Sequence, residues 1–145
     1  MSRSFPDRPW VGIGLVAFDG DRVLLVRRGK PPRAGEWSIP GGAQHLGEGA
    51  EEAARRELRE ETGIEVGPLV VAGVVDAITT EEDGRVRFHY TIIDFAGEWV
   101  SGEPVAGDDV TEARWFSDDE LPELGLWDEA LRIIAEGRKR LQEPR

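Results

Sequence analysis

Residues 48–62, Glu-Gly-Ala-Glu-Glu-Ala-Ala-Arg-Arg-Glu-Leu-Arg-Glu-Glu-Thr, predict a helix, and Gly63 stops it. Its charges break the amphipathic rule. At 100° per residue, Ala50, Ala53, Ala54 and Leu58 fall on one sector, which should face the protein. Glu51, Glu52, Arg55 and Arg59 fall opposite and should face water. Glu57 and Glu61 lie among the alanines, and Glu60 lies at their edge. Three carboxylates on a sheltered face repel one another and raise one another's pKa. A multivalent cation between them relieves this. Oxygen donors without cysteine select Mg²⁺, Mn²⁺ or Ca²⁺ over zinc. The alternative is a solvated acidic helix laced with Glu51–Arg55 and Glu52–Arg56 pairs.

The rest of the chain supplies strands around this helix. Val11–Phe18 and Val23–Val26 flank Asp19-Gly20-Asp21, which predicts a hairpin. Arg27–Gly35 reads as a loop. Trp37-Ser38-Ile39 reads as a strand end before Pro40-Gly41-Gly42, where the backbone either turns sharply or admits a close neighbour. Val66–Ala77, Val86–Phe95 and Ala113–Phe116 read as strands, with a turn at Glu82-Asp83-Gly84. Ser117 and Glu120 form a capping box, and Trp127–Leu141 an amphipathic helix. This order predicts an α+β protein with helices packed on a sheet, and no linker divides residues 1–145, so one domain is expected.

Composition narrows the function. The chain has 145 residues, no cysteine and a net charge of −11. Disulfides, Cys-ligated metals and a catalytic thiol are excluded. The acidic surface disfavours nucleic acid and anionic membranes. The first residues carry no signal-peptide core and no apolar run reaches bilayer length, so a cytoplasmic protein is expected.

Gly42, Glu48, Arg56-Glu57-Leu58, Glu60-Glu61 and Gly63-Ile64 stand at spacings that resemble the Nudix box of the Nudix hydrolases. Seven identities and two aliphatic positions coincide by chance about once in 10¹⁰ registers of average composition. The resemblance implies the Nudix fold, an α/β/α sandwich with a mixed sheet between helices and a loop–helix–loop box. It also implies hydrolysis within the diphosphate of a nucleoside diphosphate linked to another group, with Mg²⁺, or Mn²⁺, as cofactor. On that resemblance Glu60 and Glu61 bind metal, Glu57 is a further ligand or the base that orients water, and the Gly41 carbonyl completes the shell. Arg56 pairs with a box carboxylate, Glu48 supports the loop, and Gly63 permits the turn out of the helix; Gly42, Leu58 and Ile64 are structural.

His45 stands where many members carry an acid, three positions after the second glycine. A later acid among Asp108, Asp109 and Glu112 is expected to complete the site, and Glu112 is preferred. Arg22, Arg27, Arg28, Lys30 and Arg33 form a run without an acid, a candidate anion-attracting patch in which Lys30 and Arg33 are the preferred substrate contacts. Trp10, Trp37 and Trp115 are expected in the core, whereas Trp127 or Phe95 could stack on a base.

The stretches Val23–Gly29, Trp37–Gly42 and His89–Phe95 are similar to the bacterial ADP-ribose pyrophosphatase-like group, as are Gly107–Asp109 and Glu112–Trp115. They imply ADP-ribose or a related nucleotide sugar as substrate. The alternatives are nucleoside triphosphates and, less favoured, a nucleotide-sensing module that does not cut; such modules usually lose box carboxylates, and all stand here. The expected partner is a small-molecule nucleotide, with no nucleic acid and no membrane; a homodimer is left open.

Overall fold

The computed structural model describes residues 3–31 and 33–144. Strands β1 (Trp10–Asp19) and β2 (Arg22–Arg28) form the expected hairpin, pairing Phe18 with Val23 and Asp19 with Arg22. After β3 (Trp37–Ser38) come β4 (Gly41–Ala43) and helix α1 (Ala50–Thr62). Strands β5 (Glu65–Val66), β6 (Val70–Thr80), β7 (Val86–Ser101) and β8 (Val110–Ser117) follow. A 3₁₀ helix at Asp118–Glu123 leads to α2 (Asp128–Gln142).

The strands form a mixed sheet. β1 runs parallel to β7 from Trp10–Tyr90 to Phe18–Glu98. Its other edge is shared, by β2 at the hairpin end and by β4 at Gly12–Gly14. β2 departs from β1 to pair with β8 and β3, which leaves room for β4. Successive β1 side chains point to opposite faces. Ile13, Leu15 and Ala17 join Ala53, Ala54 and Leu58 of α1 in one core. Val16 and Phe18 join Ile133 and Ile134 of α2 in the other. The result is an α/β/α sandwich. Burying a side chain such as Leu58, 1% exposed, contributes about 2–3 kcal/mol. No helix among the described residues is long and apolar enough to cross a membrane.

Four sequence expectations are corrected. The strand expected over Val66–Ala77 is split between β5 and β6, because Pro68 offers no N–H to a ladder and the Gly67 N–H instead donates to the Glu98 carbonyl (2.9 Å). Helix α1 starts at Ala50 rather than Glu48, since Gly49 keeps an extended conformation and its N–H donates to the Glu52 carboxylate (3.4 Å). Arg55 does not project into water: it donates to the carbonyls of Val66 and Gly67 (2.8 and 2.9 Å) and pins α1 to β5. Trp10 is half-buried and belongs to neither core, whereas Trp37 packs edge-on against Phe116 (4.9 Å between centroids) and Trp115 packs against the α1-side core. Elsewhere the Ser117 cap forms as expected, with its N–H donating to the Glu120 carboxylate (2.9 Å).

Candidate functional site

Pro40-Gly41-Gly42 admits a close neighbour rather than turning: it runs as β4 between β1 and α1. A Cβ at Gly41 would stand 2.2 Å from the Ile13 carbonyl oxygen, and one at Gly42 would fall among the Glu57 carboxyl atoms. The small residues of α1 let the helix approach β1. Together these features seat the helix carboxylates over β4. The cavity in front of them, about 400 Å³, is lined by Gly41, Gly42, His45, Arg56, Glu57, Glu60 and Glu61. Arg3, Arg28, Lys30, Ser38, Asp108 and Asp109 line it from other elements.

Glu57, Glu60 and Asp108 converge there, each with an oxygen within 4.8 Å of the others. Glu57 and Glu61 are 8% and 7% exposed, so the face that helical geometry marked as sheltered is sheltered. Burial is the largest influence on both. It raises Glu57 above the ordinary carboxylate range, with Glu60 and Asp108 adding repulsion and Arg56 opposing. Glu61 is pushed up to about 8 by burial, with Glu57 and Asp108 adding to the rise, although the Gly41 N–H donates to Glu61 Oε1 at 3.0 Å. Glu57 is buried and Glu60 and Asp108 are exposed; like charges converging at this spacing are a metal-accepting arrangement, and the all-oxygen donors fit a hard divalent ion.

Arg56 organises the rest. Its guanidinium donates to both Glu48 oxygens (2.6 and 3.0 Å), to Glu57 Oε1 (2.9 Å), to Glu60 Oε2 (3.1 Å) and to the Ala43 carbonyl (3.2 Å). This replaces the Glu52–Arg56 pair of the solvated-helix alternative. Glu48 also accepts from the His45 N–H (3.0 Å), and the two donors hold its carboxyl down at about 2. Glu48 thus ties the loop between β4 and α1 to the helix. His45 is exposed on that loop and reaches the cavity lining. Gly63 leaves α1 at φ 73, a left-handed conformation that suits glycine, and Ile64 is fully buried.

The later acid is placed differently from the expectation. Glu112 lies on β8 opposite Arg27 and is held in an ion pair with it (3.1 Å), outside the cavity lining. Asp108 takes the place beside Glu57 and Glu60. The loop before β8 docks on the C-terminal end of α1, with the Val105 and Gly107 N–H groups donating to the carbonyls of Thr62 (2.9 Å) and Glu61 (3.1 Å). A Cβ at Gly107 would stand 2.4 Å from the Glu60 carbonyl oxygen. Gly107-Asp108 is the one signal in the sequence for this approach.

The residues expected to contact substrate are also placed differently. Lys30 lines the cavity but is paired with Asp109 (2.7 Å). Arg33 is exposed on the β2–β3 loop at φ 65 and does not line the cavity, because the chain turns away there to bring Gly35 and Glu36 back onto Arg28. Trp127 precedes α2, on the face of the sheet opposite α1, so it cannot stack on a base in this cavity. Phe95 is 5% exposed in the α1-side core and is equally unavailable. Arg28, a member of the basic run but not one of its preferred contacts, and Arg3, which lies outside that run, line the cavity.

A family profile described as NUDIX domain matches residues 8–136. The ADP-ribose pyrophosphatase of Methanocaldococcus jannaschii is 36% identical over 118 residues, which is 81% of this chain and 68% of that protein. The oxidized purine nucleoside triphosphate hydrolase of Danio rerio is 34% identical over 106 residues, 73% of this chain and 65% of that one. The crystal structure of a MutT NUDIX hydrolase from Burkholderia pseudomallei superposes with a TM-score of 0.78 at 30% identity, covering 90% of this chain and 98% of that one.

Proposed function

The chain belongs to the Nudix hydrolase family, and from that premise we propose that it cuts the diphosphate linkage of ADP-ribose or a related nucleotide sugar. The observation that carries the reading is the convergence of Glu57, Glu60 and Asp108 in a cavity also lined by Glu61 and by the basic side chains of Arg3, Arg28, Lys30 and Arg56. Glu57, Glu60 and Asp108, with Glu61 beside them, would hold the divalent ion, Mg²⁺ or Mn²⁺. Such an ion neutralises charge on the diphosphate and lowers the pKa of water. Where Glu57 does not itself bind the ion, it is the carboxylate that would orient the attacking water and take its proton. The water oxygen bonds to phosphorus, the bridging P–O bond breaks, and a nucleoside monophosphate and a sugar phosphate leave. Arg56 holds Glu48, Glu57 and Glu60 in register throughout. We place this activity in the cytoplasm, in a single unit of residues 1–145 acting on a free nucleotide; the charge of −11 opposes polyanionic partners.

The similarity to an oxidized purine nucleoside triphosphate hydrolase favours a second reading, release of pyrophosphate from a triphosphate. A screen of ADP-ribose, dinucleotides and nucleoside triphosphates at one Mg²⁺ concentration separates the two. AMP and ribose phosphate from ADP-ribose, lost on adding EDTA, is the expected result. Efficient triphosphate cleavage with negligible activity on ADP-ribose would overturn the substrate assignment.

A further inference from the structure

The segment ahead of β1 is pinned where it can reach the cavity. The Phe5 N–H donates to the Arg87 carbonyl (2.8 Å). The Phe5 ring lies under two guanidinium groups, Arg85 at 4.5 Å and Arg87 at 5.8 Å. Those arginines are themselves held, Arg85 by Asp83 (2.7 Å) and Arg87 by Glu81 (2.9 Å). Phe5 sits at φ 50, a conformation that an aromatic residue keeps only where its surroundings impose it. Two residues earlier, Arg3 lines the cavity, and its guanidinium lies over the Trp10 ring at 5.6 Å.

The charge state of that cavity gives Arg3 a distinct part. Lys30 is paired with Asp109, Arg56 with three carboxylates, and Arg28 acts electrostatically on Glu61. Arg3 makes no ion pair among the described residues; an aromatic face holds it instead. Stacking orients the planar guanidinium without neutralising it, and its fork matches two oxygens of a phosphoryl group.

We propose that Arg3 is a substrate-binding residue that takes the phosphoryl group of the nucleotide remote from the Glu57–Glu60–Asp108 carboxylates, and that Phe5 is the positioning residue that holds Arg3 there. The inference rests on the diphosphate-hydrolase reading. It makes the segment before the first strand part of the site, and it assigns substrate affinity to a residue outside the box.

The test compares wild type with Arg3→Ala, Arg3→Lys and Phe5→Ala on whichever nucleotide the wild type cuts. Calorimetric titration with inorganic pyrophosphate and Mg²⁺ runs alongside. Arg3→Ala is expected to raise KM about tenfold with kcat within about twofold, and to flatten the rise of KM with salt, as loss of one charge-assisted contact should. Arg3→Lys should recover part of the affinity. Phe5→Ala should reproduce the KM rise while Arg3 is intact, a split that loss of packing alone would not give. Pyrophosphate affinity should fall in Arg3→Ala to a similar extent. If KM and pyrophosphate affinity both stay at wild-type values in Arg3→Ala, the inference is overturned and the hydrolase reading stands. If wild type cuts no nucleotide, the hydrolase reading fails on its own, and the pyrophosphate titration still decides Arg3.

Discussion

A Cβ on Gly42 would stand 2.6 Å from Glu57 Oε1 and 2.7 Å from its carboxyl carbon. The glycine is therefore the space that the helix carboxylate occupies. The neighbouring position is different in kind, since a Cβ on Gly41 would strike backbone, 2.2 Å from the Ile13 carbonyl oxygen. Gly42→Ala should keep the fold, because a side-chain end can move, yet lower kcat by about tenfold or more by displacing Glu57. Gly41→Ala should cost stability, about 1–3 kcal/mol, by prying β4 from β1. Thermal melts and steady-state kinetics on both variants check the contrast.

Glu57→Gln and Glu61→Gln should each fold normally and lower kcat by about 100-fold or more, the scale of one lost catalytic or metal-binding group. Glu51→Gln, on the exposed face of the same helix, should be nearly silent. Near-normal turnover in both buried-face variants would refute the metal-site assignment.

Variants at Asp108 and Glu112 separate two of the three candidates for the later acid. Asp108→Asn should weaken the Mg²⁺ dependence of activity by about tenfold or more, because it removes one of three convergent carboxylates. Glu112→Gln should change it little, losing only a half-exposed pair with Arg27. A metal titration of both variants that reversed this order would return Glu112 to the site.

Asp94 on β7 is 5% exposed, and burial pushes its carboxyl up to about 6 against the opposing pull of Arg132. The folded value lies above the unfolded value of 3.8, so folded protein holds a proton that the unfolded chain releases between those pH values. The charge therefore costs nothing below about pH 4, and its cost grows until the pH passes about 6. Asp94→Asn removes the ionisation. Denaturant unfolding should show the variant gaining on wild type by about 2 kcal/mol between pH 4 and pH 7. Parallel pH profiles for the two proteins would show that Asp94 does not titrate this way.

Much of the site was legible because a helix has a fixed angular period. That period alone put Glu57 and Glu61 among the alanines that face the sheet, and the structure buries them there. It could not reveal that Arg55 bends back to the carbonyls of Val66, at the end of β5, and Gly67, since a long side chain finds partners that no periodicity encodes. The basic run showed the same limit. Lys30 and Arg33 are near neighbours in sequence, but the loop carries one to the cavity and the other away from it.

The hairpin, the two helices and the carboxylate-bearing helix face can all be read from the order of the residues. These follow from local periodicity and turn chemistry, and each is settled within a few residues of its neighbours. Which distant groups meet that face depends instead on long-range packing. Asp108 arrives because the loop before β8 hydrogen-bonds to the C-terminal carbonyls of α1, and Trp127 is excluded because α2 packs on the opposite face. Arg3 reaches the cavity from the segment before β1, where Phe5 is clamped by arginines of β7 and the turn before it. Such meetings depend on how the packed layers place remote segments, and no local pattern records that.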